Sequence, residues 1–150
     1  MDTPDTIERE LILPVPRARV WAALTEPAGL SAWFGTSVSI DLRPGGVVIF
    51  DWDGSTGPRG TNRGVIDVVE PLQRFAFRWQ THAEDPTVPL TRVEFTLEDH
   101  PQGTRLRLVE SGFASLPPDL RRSSHDDNTQ GWARELGELA TYLSVHPDQH

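Results

Sequence analysis

The sequence predicts an α+β fold in which one antiparallel sheet is covered on a single face by one long helix. Apolar and polar residues alternate cleanly through the middle of the chain, which is typical of strands with one buried and one hydrated face. A helical stripe of apolar residues follows near the C terminus, at the spacing of a helix that packs on such a face. With 150 residues, a single domain is the expected organisation.

The N-terminal elements are predicted to be one strand and two short helices. Residues 6–14 alternate and end at a proline, which indicates a strand. Residues 16–26 begin with a proline suited to a first helical turn and carry apolar residues at helical spacing. Residues 27–35 form a second helix that Gly35 can end, because glycine readily adopts the left-handed backbone of a helix stop. The apolar face of this second helix consists of Leu30, Trp33 and Phe34.

Six further strands complete a predicted sheet of seven, with turns and loops rich in proline and glycine between them. They lie within residues 36–46, 46–54, 62–71, 72–80, 91–99 and 104–112. Aromatic side chains dominate the inner face, namely Trp52, Phe77, Trp79, Phe95 and Phe113. Either these rings fill the core at ordinary density, or they line a cavity for an apolar or aromatic ligand. Likewise, Trp33 and Phe34 either close the core or gate the mouth of a pocket.

Glu110 shares the strand parity of Leu106 and Leu108, so it is expected to point inward near the end of its strand. A carboxylate in such a place needs a partner. One interpretation makes Glu110 a ligand anchor or a general base. The alternative places it at the wet end of the sheet, or pairs it with an arginine.

The last element is a helix over residues 124–144, with Ser123 or Ser124 as its cap. Its apolar stripe consists of Trp132, Leu136, Leu139 and Leu143. Continued backwards, the stripe becomes polar and passes through Thr129 or Asn128 to His125. This polar half either extends past the sheet into water or lines the cavity with hydrogen-bonding groups. Residues 146–150 are expected to form a frayed tail.

Composition excludes several kinds of chemistry. Without cysteine there are no disulfides, thiolate metal sites or thiol nucleophiles, and without lysine there is no Schiff base or P-loop lysine. A net charge of −8 argues against a nucleic-acid partner. The five histidines lack metal-site spacing, so neither a metal nor a cofactor is predicted, and no catalytic residue is assigned. The chain shows no signal peptide or membrane span, which makes a cytoplasmic protein without a membrane partner the expectation.

The order of elements and six stretches of sequence resemble the SRPBCC or START-like superfamily. The stretches, which together run from residue 15 to 143, are VPRARVWAALTEPAGLSAWFG, DLRPGG, VVEPLQRFAFRW, TRVEFTLE, GTRLRLVESGF and GWARELGELATYL. Within the superfamily the chain is similar to the family named for activators of heat-shock-protein-90 ATPase. The resemblance implies the helix-grip fold of START-like and birch-pollen-allergen-like proteins. In that fold a seven-stranded antiparallel sheet curves around the C-terminal helix, and the two short helices close one end of a cavity.

Three functions follow from the resemblance, because relatives include lipid and hormone carriers, aromatase/cyclases and co-chaperone domains. The first is binding of a small hydrophobic or aromatic molecule in the cavity. The second is a cyclase or hydrolase that uses the same cavity, with Glu110 and His125 as acid–base candidates. The third is a co-chaperone-like interaction module, with a homodimer through a strand edge as a further arrangement. Support for a chaperone partner is weaker, since co-chaperones of this kind carry an additional N-terminal domain.

The candidate cavity-lining residues come from the second short helix, the inner face of the sheet and the long helix. They are Trp33, Phe34, Trp52, Phe77, Trp79, Phe95, Glu110, Phe113, His125 and Trp132.

Overall fold

The computed structural model describes residues 5–34, 37–53, 59–80 and 89–145. These residues form one sheet and three α-helices, together with a short 3₁₀ turn at Phe113–Ser115. In chain order the elements are β1 (Thr6–Leu13), α1 (Arg17–Thr25), α2 (Pro27–Trp33), β2 (Ser37–Ile40), β3 (Val47–Asp53), β4 (Arg59–Glu70), β5 (Arg74–Trp79), β6 (Thr91–His100), β7 (Gly103–Ser111) and α3 (Pro118–Val145).

The seven strands form one antiparallel sheet in the order β1-β7-β6-β5-β4-β3-β2. The register places inner-face residues opposite one another, as in the pairs Phe95–Leu108 and Val93–Glu110. The sheet is open, with β1 and β2 as its edge strands. This arrangement, with two short helices after β1 and a long helix after β7, confirms the predicted helix-grip fold.

The core lies between the inner face of the sheet and α3. The four apolar residues of the predicted helical stripe are all buried, namely Trp132, Leu136, Leu139 and Leu143. The inward positions predicted on β3, β5, β6 and β7 are buried as well, which confirms their alternation. The strand residues between them face the other side of the sheet, where ion pairs such as Arg78–Asp67 and Arg92–Asp67 lie.

The long helix begins at Pro118, six residues before the predicted start at residue 124. The Pro117 carbonyl accepts hydrogen bonds from the amides of Leu120 and Arg121, at 2.9 and 3.0 Å, and so begins the helix. Pro118 is favoured in a first turn because its missing N–H would have no intrahelical partner there. The predicted caps, Ser123 and Ser124, therefore lie inside the helix.

The second short helix ends at Trp33, and Phe34 is already extended, with φ −132° and ψ 98°. The predicted stop at Gly35 and the predicted tail at 146–150 lie outside the described residues, as do residues 55–58 of the loop predicted before β4 and residues 81–88 of the loop predicted after β5. Strand β4 begins at Arg59, earlier than the predicted residue 62.

Within the described ranges, no helix combines the length and the apolar character that crossing a membrane requires.

Candidate functional site

The ring of Phe34 lies at the centre of a cluster of aromatic side chains between the sheet and α3. Its centroid is 5.0 to 5.6 Å from the centroids of five other rings. These rings belong to Trp33 beside it, Phe50 and Trp52 of β3, Trp79 of β5 and Trp132 of α3. Phe34 itself belongs to neither the sheet nor α3, so its ring is inserted between them from the end of α2.

Phe34 is carried by a tightly packed unit of the two short helices, α1 and α2, which we call the arch. The Trp33 Nε1–H donates a hydrogen bond of 2.8 Å to the Ala23 carbonyl and so fixes the end of α2 to α1. Gly29 allows the two helices to approach closely, because a Cβ atom there would lie 2.8 Å from the Cα of Ala23. The position of Phe34 therefore depends on the position of the arch as a whole.

Two neighbouring indole rings form one part of the wall around Phe34. Trp132 of α3 stacks on Phe34, with 15° between the ring planes and 5.3 Å between the centroids. Trp79 of β5 is tilted by 31° from the plane of Phe34, at 5.6 Å. The two indoles also contact each other, with their centroids 5.9 Å apart. An aromatic molecule in the place of Phe34 would therefore meet the faces of both tryptophans.

The Glu110 carboxylate lies beyond the N–H edges of these same indoles and is completely buried. Its Oε1 accepts a hydrogen bond of 2.8 Å from Trp132 Nε1, and its Oε2 accepts one of 2.9 Å from Trp79 Nε1. The Thr91 hydroxyl donates to Oε2 at 2.5 Å, and Asn128 Nδ2 is 3.1 Å from both oxygens. Three adjacent strands and α3 thus meet at one carboxylate.

All four donors to Glu110 in the described part of the chain are uncharged groups. Because indole and amide nitrogens only donate, they suit the ionised carboxylate, which only accepts. Taking such a charge out of water costs several kcal/mol, and these hydrogen bonds offset that cost without neutralising the charge. The site therefore combines an aromatic interior with a buried carboxylate.

A second buried carboxylate, Glu135, has a different environment. Burial raises the pKa of Glu135, and the hydrogen bond from Arg134 lowers it by a smaller amount. Arg134 Nε is 3.2 Å from Glu135 Oε1, so this carboxylate has an arginine partner. Within the described residues, no three histidine, aspartate or glutamate side chains come together to form a metal site.

Eight of the ten candidate residues meet in this cluster. They are Trp33, Phe34, Trp52, Phe77, Trp79, Phe95, Glu110 and Trp132. The other two form a separate pair, because Phe113 makes its ring contact with His125, at 5.1 Å. His125 Nε2 also bonds the Thr6 carbonyl at 2.9 Å, so His125 joins the start of α3 to edge strand β1.

The structure decides between the alternatives left open for two polar positions. Glu110 is neither at a wet strand end nor held by an arginine among the described residues, because β5, β6 and α3 cover it with neutral donors. The polar half of α3 does not simply face water, since Asn128 reaches Glu110 and Ser124 is buried.

Thr91, Phe50 and Asn128 were not among the candidates, although each has a role in the cluster. Thr91 shares the inward parity of Val93, and Phe50 that of Trp52, so strand alternation could have found both. The helix stripe continued backwards from Trp132 passes through Thr129 or Asn128, and in the structure it is Asn128, four residues before Trp132, that reaches Glu110. None of these signals indicates by itself that β5, β6 and α3 each contribute a hydrogen-bond donor to Glu110.

Comparison with solved structures shows the same fold in proteins from several bacteria. Protein MLL2253 from Mesorhizobium loti has 26% sequence identity and a TM-score of 0.79, and the match covers 93% of this chain and 97% of that one. The Aha1 dimer from Colwellia psychrerythraea has 18% identity and a TM-score of 0.75, over 93% of this chain and 96% of that one.

DynU16, a protein in the dynemicin biosynthetic locus, has 27% identity and a TM-score of 0.76. The match covers 99% of this chain but 51% of DynU16, so this chain spans about half the length of that protein. No curated protein matches the chain. The family model described as "Activator of Hsp90 ATPase homolog 1-like protein" matches residues 14–144, which include the arch, strands β2 to β7 and nearly all of α3. The chain therefore belongs to the family of activator of Hsp90 ATPase homolog 1-like proteins, and its helix-grip fold is the fold of that family's solved relatives.

Proposed function

We propose that this protein binds a small hydrophobic or aromatic molecule between the sheet and α3, in the place that Phe34 occupies. The single observation that carries the proposal is the position of the Phe34 ring. A side chain from the arch fills the space between the other two layers, and aromatic rings surround it on several sides. Phe34 thus holds the place of a ligand, and a shift of the arch would release that place.

The physical chemistry of the wall favours an aromatic guest. Offset and edge-to-face contacts between rings contribute about 0.5–1.5 kcal/mol each beyond the burial of area. A guest that takes over the contacts of Phe34 with Trp52, Trp79 and Trp132 would recover this energy. A buried apolar cavity of about 150 Å³ is known to suffice for benzene, which is similar in size to the ring of Phe34. The location of the relative DynU16 in a biosynthetic locus is consistent with a small-molecule ligand.

Of the two acid–base candidates, Glu110 belongs to the aromatic cluster and His125 lies outside it. His125 is engaged with Phe113 and with the Thr6 carbonyl, and it shares no hydrogen bond with Glu110 in the described part of the chain. All the hydrogen bonds to Glu110 described above come from indole, amide and hydroxyl groups. Binding requires only the cluster of rings and the displacement of Phe34.

The test compares the wild-type protein with Phe34→Ala, using toluene and indole as probes. Binding is measured by isothermal titration calorimetry and by the rise in melting temperature. We expect Phe34→Ala to bind toluene at least tenfold more tightly than the wild type, because the wild type must first displace its own ring. Phe34→Leu is the reserve variant, since it leaves a smaller void and costs less stability.

Phe113→Ala is the matched control, because Phe113 is also a fully buried phenylalanine and makes its ring contact outside the cluster. It should lower stability while leaving the affinity for toluene at the wild-type value. The proposal fails if neither the wild type nor the Phe34 variants bind either probe. It also fails if Phe113→Ala gains as much affinity as Phe34→Ala.

A further inference from the structure

We propose that the ligand is a cation with an aromatic or apolar body, recognised by the faces of Trp79 and Trp132 and by the charge of Glu110. This inference rests on the proposed function, because it assigns the chemical class of the molecule that replaces Phe34. The inference concerns the charge of the ligand, which the electrostatics of the site select, and not the shape of the site.

Among the described residues, Glu110 has no positively charged hydrogen-bond partner. The carboxylate is completely buried, and its donors in the described part of the chain are the indoles of Trp79 and Trp132, the Thr91 hydroxyl and the Asn128 amide. These groups satisfy its lone pairs but bring no positive charge. In a dry interior a charge acts over a longer distance than in water, because the effective dielectric constant is lower. The neighbouring space is therefore favourable for a cation and unfavourable for an anion.

The orientation of the two indoles also favours a cation. Each turns its N–H edge to Glu110, and each contacts the ring of Phe34, with centroids 5.6 Å away for Trp79 and 5.3 Å away for Trp132. An aromatic face carries partial negative charge, and a cation within about 6 Å of the centroid is attracted to it. Donation of an N–H to a carboxylate polarises the indole and makes its face more negative. A cation in the place of Phe34 would lie within this range of both faces.

A cationic ligand could replace the hydrogen bond that Asn128 donates to Glu110. Asn128 Nδ2 is shared between the two carboxylate oxygens at 3.1 Å each, longer than the bonds from Trp132, Trp79 and Thr91. A protonated amine is a stronger donor to a carboxylate than a neutral amide, because its hydrogen bond is charge-assisted. Such a ligand would gain an ion pair with Glu110 where the empty protein has an amide contact.

The experiment uses three probes of similar size and different charge on Phe34→Ala: benzylammonium, ethylbenzene and benzoate. Benzylammonium and ethylbenzene are isosteric, so they differ only in charge and hydrogen bonding. We expect benzylammonium to bind at least tenfold more tightly than benzoate in isothermal titration calorimetry. Glu110→Gln in the Phe34→Ala background should reduce this cation-to-anion preference at least tenfold and leave the affinity for ethylbenzene within threefold.

Glu94→Gln is the control, because it removes the same charge from the opposite face of the sheet, where Glu94 pairs with Arg92. It should leave the preference unchanged. A preference below tenfold overturns the inference, and so does a preference that survives in a folded Glu110→Gln variant. The comparison of benzylammonium with benzoate on Phe34→Ala keeps Glu110 intact, so it does not depend on the stability of Glu110→Gln. Binding of ethylbenzene without a preference for the cation leaves the proposed function standing, whereas failure of all three probes refutes both.

Discussion

Replacement of Trp132 by phenylalanine removes one donor from Glu110 while it keeps an aromatic ring beside Phe34. The Trp132 Nε1–H donates to Glu110 Oε1 at 2.8 Å in a buried site. A hydrogen bond to a charged group contributes roughly 1.5–3 kcal/mol, and the smaller ring leaves a void that adds to the loss. We therefore expect Trp132→Phe to lower the free energy of unfolding by about 3 kcal/mol.

The same substitution at Trp52 is the matched control. Trp52 Nε1 donates at 2.9 Å to Asn62 Oδ1, which is a neutral acceptor, and its ring centroid lies 5.0 Å from that of Phe34. A neutral hydrogen bond contributes roughly 0.5–1.5 kcal/mol, while the loss from the smaller ring is similar at the two positions. Trp52→Phe should therefore cost about 1–2 kcal/mol less than Trp132→Phe.

The assay is equilibrium unfolding in urea at pH 7, followed by far-ultraviolet circular dichroism because the substitutions change the tryptophan fluorescence. Glu110→Gln and the double variant Trp132→Phe/Glu110→Gln complete a thermodynamic cycle, with an expected coupling between the two residues of about 1–3 kcal/mol. The reasoning would be refuted if Trp52→Phe cost as much as Trp132→Phe, or if the coupling were close to zero. Glu110 would then contribute nothing through its charge.

Three further predictions concern the outer face, the arch and one strained turn. Burial raises the pKa of Asp67, but the hydrogen bonds from Arg92 and Arg78 outweigh this effect and hold the pKa below its ordinary value of 3.8. The stabilisation that the ionised Asp67 gives to the folded protein is therefore complete above the unfolded-state pKa of about 3.9. It is lost as the pH falls through the lower pKa that Asp67 has in the folded protein. As the pH falls, the free energy of unfolding of Asp67→Asn should decrease less than that of the wild type. Parallel plots of this free energy against pH for the two proteins would contradict the prediction. Gly29→Ala should destabilise by roughly 1–3 kcal/mol because its Cβ meets the Ala23 backbone, whereas Gly137→Ala, with open space around it, should stabilise by about 1 kcal/mol in urea. Leu72 has φ 66°, a left-handed conformation that costs a non-glycine residue roughly 1 kcal/mol, so Leu72→Gly should raise the melting temperature, and an unchanged or lower value would contradict the strain.

Strand parity and helical spacing were sufficient to predict the layers of this protein. The alternation through Val93, Phe95 and Leu97 identified the inner face of β6, because a residue slip would expose every one of these side chains. The stripe that begins at Trp132 identified the covering helix for a similar reason. The early start of that helix was missed because the serines at 123 and 124 offered a plausible cap, although the prolines at 117 and 118 provide the observed one.

The partners of Glu110 could not be predicted from the sequence. Parity placed Glu110 inward, but Trp79, Thr91 and Trp132 reach it from positions 31, 19 and 22 residues away. Such contacts depend on strand register and on the depth at which α3 crosses the sheet, and neither is encoded in local spacing. For the same reason, the rings could be assigned to a core or to a cavity wall, but the central place of Phe34 could not be foreseen.

The proposed function requires that a small aromatic molecule can take the place of Phe34 between the sheet and α3. The most direct test is a crystal structure of Phe34→Ala grown with toluene. We predict electron density for the toluene ring in the vacated place, with its centroid within about 6 Å of the rings of Trp79 and Trp132. A collapsed interior in which these two tryptophans fill the space, or toluene bound elsewhere in the protein, would contradict the claim.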